Sequence, residues 1–87
     1  MNVTTQVLQV IDQALVLQGR ALGFERTTPL LGDLPELDSM GVLAVITGLE
    51  NHFGIAFSDD DLSGAVFATV GSLCELVEQT LATRTDT

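Results

Sequence analysis

The chain has 87 residues, a length that fits one small domain, and 46% of them are hydrophobic. Twelve acidic residues face three basic ones, which gives a formal net charge of -9. The apolar content is too high for an acidic disordered tail, and the charge argues against binding nucleic acid or anionic lipid, since both need a basic surface. A basic protein surface is the natural complement of such a chain.

The acidic charge is concentrated in the middle of the chain. The basic residues are Arg20, Arg26 and Arg84, so residues 27–83 contain acids but no Lys or Arg. The single cysteine, Cys74, cannot form an internal disulfide or a cysteine zinc site. Because no apolar run approaches the ~20 residues of a membrane span and no cationic secretory signal is seen, we expect a cytoplasmic protein.

The first predicted element is an amphipathic helix. Thr4 or Thr5 can cap its start, and Gly19 is a candidate end. Its apolar residues recur at three- and four-residue spacing, which places them on one face. These residues are Val7, Leu8, Ile11, Ala14 and Leu15.

A long loop follows at residues 18–38. Its glycines and prolines break any long helix or strand. Because a connection of about 20 residues is unusual in a compact domain unless it is pinned, we expect apolar side chains to hold it on the core. The candidate pins are Phe24, Leu30, Leu31, Leu34 and Leu37.

A second helix is predicted from Ser39 to Gly54. Its inward face consists of Val42, Val45, Ile46, Leu49 and Phe53. Its opposite face consists of Met40, Leu43, Ala44, Thr47 and Asn51. Gly41 and Gly48 each cost up to ~1 kcal/mol of helix stability relative to Ala, so packing must hold this helix together.

The rest of the chain predicts one short and one long helix. Ser58 with Asp61 matches a capping box that starts a short helix near residues 59–66, and Thr69 is a candidate cap for the last helix. The apolar stripe of the last helix is Val70, Leu73, Cys74, Val77 and Leu81. Residues 83–87 are polar and expected to fray. The predicted fold is all-α, a small four-helix bundle of three main helices and one short helix with a long first loop.

Few residues are suited to catalysis. His52 is the one imidazole in the chain, and Cys74 lies in an apolar stripe. On one helix, Ser39 and His52 lie about 20 Å apart, too far for a serine–histidine pair. Residues 59–61 are all aspartates but lack the spacing of a calcium loop. We therefore predict no catalytic residue, no metal site and no enzymatic activity.

Ser39 has a structural and a functional interpretation. Serine is a favoured helix N-cap, and Asp38 beside it suits the positive end of the helix dipole. Functionally, a serine at a helix start after a long loop is accessible and lies where a phosphoester is electrostatically favoured.

A longer motif surrounds this serine. It reads LDSMGVLAVITGLENHFGIAFSDDDL and is followed by FATVGSL. This stretch resembles an acyl carrier protein: Asp38-Ser39-Met40 is similar to the family's Asp-Ser-Leu/Met signature, in which the serine bears a 4'-phosphopantetheine arm. The Leu49-Glu50, Phe53-Gly54-Ile55 and Thr69-Val70 elements follow at the family's usual distances. The resemblance covers nearly the whole chain.

The resemblance implies a carrier function. Ser39 would be the attachment site, where a phosphopantetheinyl transferase places the arm from coenzyme A, and Asp38 would help that enzyme. The arm's thiol would hold an acyl group as a thioester for acyl-ligase, synthase or acyltransferase enzymes. Carriers of this kind are usually monomers.

The resemblance also implies a docking surface on the second helix. Met40, Leu43 and Thr47 correspond to the surface that partner enzymes grip, and Glu50 to an acid that meets their arginines or lysines. Acids before Ser39 and after the helix bracket this strip, and we expect them to steer a basic enzyme rim toward it.

The departures from the family pattern concern charge and the residues before the serine. Fatty-acid carriers usually have further acids along this helix, including at the positions of Ala44 and Asn51 here. Glu36 and Leu37 stand where the family often has a glycine. These departures favour a dedicated carrier of a small pathway over a general role in fatty-acid synthesis. We expect that pathway to be fatty-acid-like, lipid or specialised. The chain looks similar to carriers associated with exosortase or exopolysaccharide gene clusters.

Three other functions stay open. A peptidyl or aminoacyl carrier would use the same serine and arm with a different cargo. A helical interaction module that is never modified would use Ser39 only as a cap and the exposed helix face as a partner groove. A small esterase would have to turn over a model ester, and the distant His52 argues against it.

Overall fold

Three α-helices make up most of the structure, a computed structural model that describes residues 3–58, 61–62 and 64–85. Helix α1 spans Val3–Leu15, α2 spans Ser39–Phe53 and α3 spans Val70–Thr85. The predicted all-α fold class is therefore confirmed. Helix α3 is longer than expected, because its helical backbone includes residues 83–85 of the predicted frayed tail.

The connections between these helices contain 3-10 turns, of which an early and a late one lie wholly within the described residues. The early turn spans Arg20–Gly23 and lies in the long loop, where a turn this short is compatible with the predicted lack of a long helix. The late turn spans Gly64–Phe67, whereas the short helix was predicted near residues 59–66. Within the described residues, the predicted short helix thus corresponds to this 3-10 turn and to Asp61, which also has 3-10 conformation.

The cap of α3 explains the position of the late turn. Thr69 caps α3 as predicted: the Ser72 N–H donates to Thr69 Oγ1, and the Thr69 N–H donates to Ser72 Oγ, both at 3.1 Å. The Ser72 hydroxyl also donates to the Val66 carbonyl oxygen at 2.7 Å. This bond fixes the late turn directly before α3.

The predicted contact between Ser58 and Asp61 is present in the link after α2. The backbone N–H and the hydroxyl of Ser58 both donate to Asp61 Oδ2, at 3.2 and 2.9 Å. Asp59 and Asp60, which belong to the same predicted acidic helix start, lie outside the described residues.

Helix α1 ends earlier than expected, at Leu15 instead of Gly19. Val16 and Gln18 have φ angles of 52° and 57°, and this left-handed conformation stops the helix. Asp12 Oδ2 accepts a hydrogen bond from the Gly19 N–H at 2.8 Å. The chain is therefore tied back to α1 before it enters the early turn.

One apolar core joins the three helices and the long loop. The largest fully buried side chains come from all of these parts and include Ile11, Leu17, Leu30, Leu49 and Leu73. Cys74 is fully buried as well, which confirms its predicted place in the apolar stripe. The predicted inward faces of α1 and α2 are likewise buried or half-buried.

The long loop lies on the core, with one exception to the predicted pins. Leu30, Leu34 and Leu37 are buried, and Phe24 packs partly against the core, but Leu31 is 47% exposed. The N–H groups of Leu30 and Leu31 donate at 3.0 and 2.9 Å to carbonyls in the segment before α3. The chain turns directly after Leu30, whose carbonyl oxygen accepts a hydrogen bond from the Leu34 N–H at 2.9 Å, so Leu30 is buried while Leu31 lies in the turn and is exposed.

Two glycines allow α2 to approach its neighbours closely. A Cβ at Gly41 would collide with the Glu36 carbonyl oxygen, and one at Gly48 would lie 2.9 Å from Val10 Cγ1 on α1. The residues that weaken α2 as an isolated helix are therefore the ones that let it pack.

Candidate functional site

Ser39 is the first residue of α2, and its side chain is exposed. The N-cap is Asp38: it has extended backbone, and its Oδ1 accepts a hydrogen bond from the Gly41 N–H at 2.8 Å. The interpretation of Ser39 as the cap is therefore wrong, because Asp38 already performs that task. The Ser39 hydroxyl makes no hydrogen bond to the described part of the chain, so it is available for modification.

The start of α2 is suited to a negatively charged group. The first N–H groups of a helix have no intrahelical partner and carry the positive end of the helix dipole. Asp38 satisfies one of them, and the first turn of α2 contains no acidic residue. A phosphoester on Ser39 would lie beside the remaining donors, and the Asp38 carboxylate is the one acidic group directly beside it. The residues present thus fit a phosphopantetheine group.

An ion pair fixes the segment that leads into Ser39. Arg20 in the early turn contacts Glu36 at 3.1 Å between Nη1 and Oε2. The pKa of Glu36 lies below its ordinary value, first because its own backbone N–H donates to the carboxylate and then because of Arg20, although partial burial opposes both. The Glu36 backbone also packs against Gly41. Ser39 is therefore presented by an ordered loop.

A groove of about 720 Å³ runs along α2 beside α1. From the Ser39 end, its α2 wall consists of Met40, Leu43, Ala44 and Thr47, followed by Gly48, Asn51 and His52. Its α1 wall consists of Val10, Gln13 and Ala14. The two helices can form a common groove because Gly48 lets them approach.

The predicted outward face of α2 forms much of this groove. Met40 is 74% exposed and Leu43 is 59% exposed, so both side chains project from the molecule. Thr47 is exposed beside them. The structure thus brings together three of the four predicted partner-binding residues. The α1 wall was missed, because Gln13 is polar and Ala14 fits the core face of α1, and neither signals a surface recess from sequence alone.

Glu50, the fourth predicted partner-binding residue, lies outside the groove and is half-buried. Its Oε2 accepts a hydrogen bond from the Phe57 N–H at 2.9 Å. One carboxylate oxygen therefore holds the link after α2 in place. A role for Glu50 in partner binding stays a prediction.

The remaining reactive side chains lie away from Ser39. His52 is exposed near the opposite end of α2, and its Nε2 lies 3.1 Å from Gln6 Oε1. Burial raises the pKa of the Cys74 thiol. Within the part of the chain that the structure describes, no three His, Cys, Asp or Glu residues could hold a metal ion together. No helix in that part is long and apolar enough to cross a membrane.

Comparison with known proteins agrees with this geometry. A family model described as phosphopantetheine attachment site matches residues 7–77. The solution NMR structure of a holo acyl carrier protein from Nitrosomonas europaea is 39% identical, with a TM-score of 0.88 over 94% of this chain and 99% of that one. The comparison with curated proteins gave no match.

These matches confirm both the predicted family and the predicted phosphopantetheine group. Acyl carrier proteins hold a substrate for other enzymes and are not themselves catalysts. The model match covers most of the chain, and the similar structure covers nearly all of it. The chain therefore belongs to the acyl carrier protein family.

Proposed function

We propose that this protein carries an acyl intermediate as a thioester on a 4'-phosphopantetheine arm attached to Ser39. The observation that carries the assignment is the exposed hydroxyl of Ser39 at the start of α2, free because Asp38 caps the helix. When bound, the arm supplies the thiol that holds the acyl group. Ser39 Oγ supplies the oxygen of the phosphoester bond, and the first turn of α2 stabilises the phosphate charge.

The chain's own contribution is to position this arm for other enzymes. A tethered substrate meets each partner at a high effective concentration, so the carrier needs no chemistry of its own. We propose that Asp38 is recognised by the phosphopantetheinyl transferase, since it is exposed and adjacent to the serine. The Arg20–Glu36 ion pair supports this role by holding the preceding loop in place.

The exposed face of α2 is the proposed docking surface for partner enzymes. Met40, Leu43 and Thr47 support it by their exposure, with Glu50 as an additional contact. The partners are the transferase and acyl-ligase, synthase or acyltransferase enzymes with basic docking surfaces. Because α2 has only one acid, we propose a dedicated lipid or specialised pathway. The cytoplasmic location and the monomeric state stay predictions.

Transfer of the arm in vitro tests the attachment site. Incubation of the apo protein with coenzyme A and a broad-specificity transferase should add about 340 Da. Ser39→Ala should gain no mass, whereas Ser58→Ala, which removes another exposed serine, should be modified like the wild type. Modification of Ser39→Ala would show that the arm is attached elsewhere.

An aminoacyl or peptidyl carrier is the second candidate. The observation in its favour is the sparse charge of α2, where Glu50 is the single acid. Loading the holo protein in parallel with acyl-ligases and with amino-acid-adenylating enzymes separates the two. The acyl proposal predicts that only the ligases form a thioester. If only the adenylating enzymes form one, the protein is an aminoacyl or peptidyl carrier instead.

A further inference from the structure

The groove between α1 and α2 is an uncharged surface on a strongly acidic chain. Among the described residues, no Asp, Glu, Lys or Arg lines it, although the formal net charge of the chain is -9. Its one ionisable side chain is His52, at the end away from Ser39, where it contacts Gln6. The acids lie beyond the groove, with Asp33 and Asp38 exposed before α2.

The shape of the groove suits an apolar side chain. Met40 and Leu43 project at its Ser39 end. The small residues Ala14, Ala44 and Gly48 line the groove beside them and leave space between the helices. Apolar side chains that project beside a recess are typical of protein-binding surfaces.

Charge complementarity selects the kind of partner. A charged side chain that entered the groove would lose water without meeting an opposite charge, which is costly. An apolar side chain would meet Leu43 and the small residues instead. Basic residues are attracted only outside the groove, toward Asp33 and Asp38. The partner surface that complements the groove therefore presents an apolar side chain surrounded by uncharged residues. Its basic residues lie on the side that faces Ser39.

We propose that the enzyme that modifies Ser39 docks in this groove through such an apolar side chain, with Gln13 and Ala14 of α1 as part of the contact surface. The inference rests on the proposed function of Ser39 and adds how its partner is selected. The uncharged walls then act as a specificity device, because they disfavour enzymes that bind α2 through buried basic side chains.

A carboxylate placed in either wall of the groove tests this proposal. Ala44→Glu alters the α2 wall and Gln13→Glu alters the α1 wall, and both positions are exposed. Ala82→Glu places the same charge at an exposed position on α3. With a broad-specificity transferase and coenzyme A, we expect the KM for the carrier to rise about fivefold to tenfold in both groove variants. The KM of Ala82→Glu should stay within about twofold of the wild type.

Two further results separate the possible explanations. Ala44→Gln fills the groove to a similar extent without charge, so its KM should rise clearly less than that of Ala44→Glu, and an equal rise would overturn selection by charge. An unchanged or lower KM in Ala44→Glu would also overturn the proposal, because it would indicate docking by basic side chains. In either case, transfer of the arm to the wild type would still uphold the proposed function. Failure of that transfer would count against both.

Discussion

At the start of α2, two neighbouring residues perform two different tasks. Asp38 caps the helix through the Gly41 N–H, and Ser39 carries the free hydroxyl. This division keeps the stability of the helix independent of the state of the serine. A carrier whose serine changes between free and modified forms therefore retains the same helix start.

Substitution of the two residues should separate these tasks. Asp38→Ala should lower the free energy of unfolding by about 1 kcal/mol, because it removes the cap. Ser39→Ala should change it by less than ~0.5 kcal/mol, since the side chain is exposed. Urea denaturation of the two apo variants measures both. A larger loss of stability in Ser39→Ala than in Asp38→Ala would show that Ser39 is the cap.

Cys74 should not react with a thiol reagent under conditions in which the arm's thiol does. It is fully buried, and burial raises the pKa of its thiol, so little thiolate is present near neutral pH. At mild pH, the native apo protein should not react rapidly with a chromogenic disulfide reagent. The native holo protein should show one rapidly reacting thiol per chain, the thiol of the arm. Denatured apo protein is the control and should show one reactive thiol per chain, that of Cys74. Rapid reaction of native apo protein would contradict the burial of Cys74.

At the scale of the elements, close packing of α2 explains its two glycines. Gly41→Ala should lower the free energy of unfolding by about 1–3 kcal/mol, because the new Cβ meets the Glu36 backbone, which cannot move away alone. Gly48→Ala should be milder, since its Cβ meets the Val10 side chain and helix propensity improves by up to ~1 kcal/mol. Thermal unfolding compares them. If Gly41→Ala were more stable than the wild type, the contact between Gly41 and the Glu36 backbone would be looser than described.

The outward face of α2 should matter for partners and not for folding. Leu43→Glu should weaken arm transfer and later partner reactions, because Leu43 is 59% exposed and projects beside the groove. Its free energy of unfolding should change by less than ~0.5 kcal/mol. Leu22→Glu is a matched control at a position that is 56% exposed in the early turn. A large stability loss in Leu43→Glu would place this residue in the core.

Helical periodicity predicted the faces of α1 and α2, because burial follows directly from the spacing of apolar residues. It could not predict the end of α1, which depends on the left-handed backbone at Val16 and Gln18. It could not decide between two adjacent cap residues, since Asp and Ser cap equally well. The α1 wall of the groove depends on contacts between residues distant in sequence, such as Gly48 and Val10, and these need the structure.

For the molecule as a whole, the described basic side chains serve the fold. Arg20 pairs with Glu36, and Arg26 lies 3.7 Å from Glu78 and donates to Thr4 Oγ1. The excess of acids therefore sets the field that a partner meets. In our proposal, this field attracts a basic protein surface, while the uncharged groove beside Ser39 selects the contact itself.

Peptide mapping of the holo protein tests the central claim most directly. Cleavage after Glu36 and Glu50 releases residues 37–50, whose only hydroxyl side chains are Ser39 and Thr47. Tandem mass spectrometry of this peptide should show an added mass of about 340 Da on Ser39. An added mass on Thr47, or an unmodified peptide from a protein that has gained the arm, would contradict the assignment of Ser39 as the attachment site.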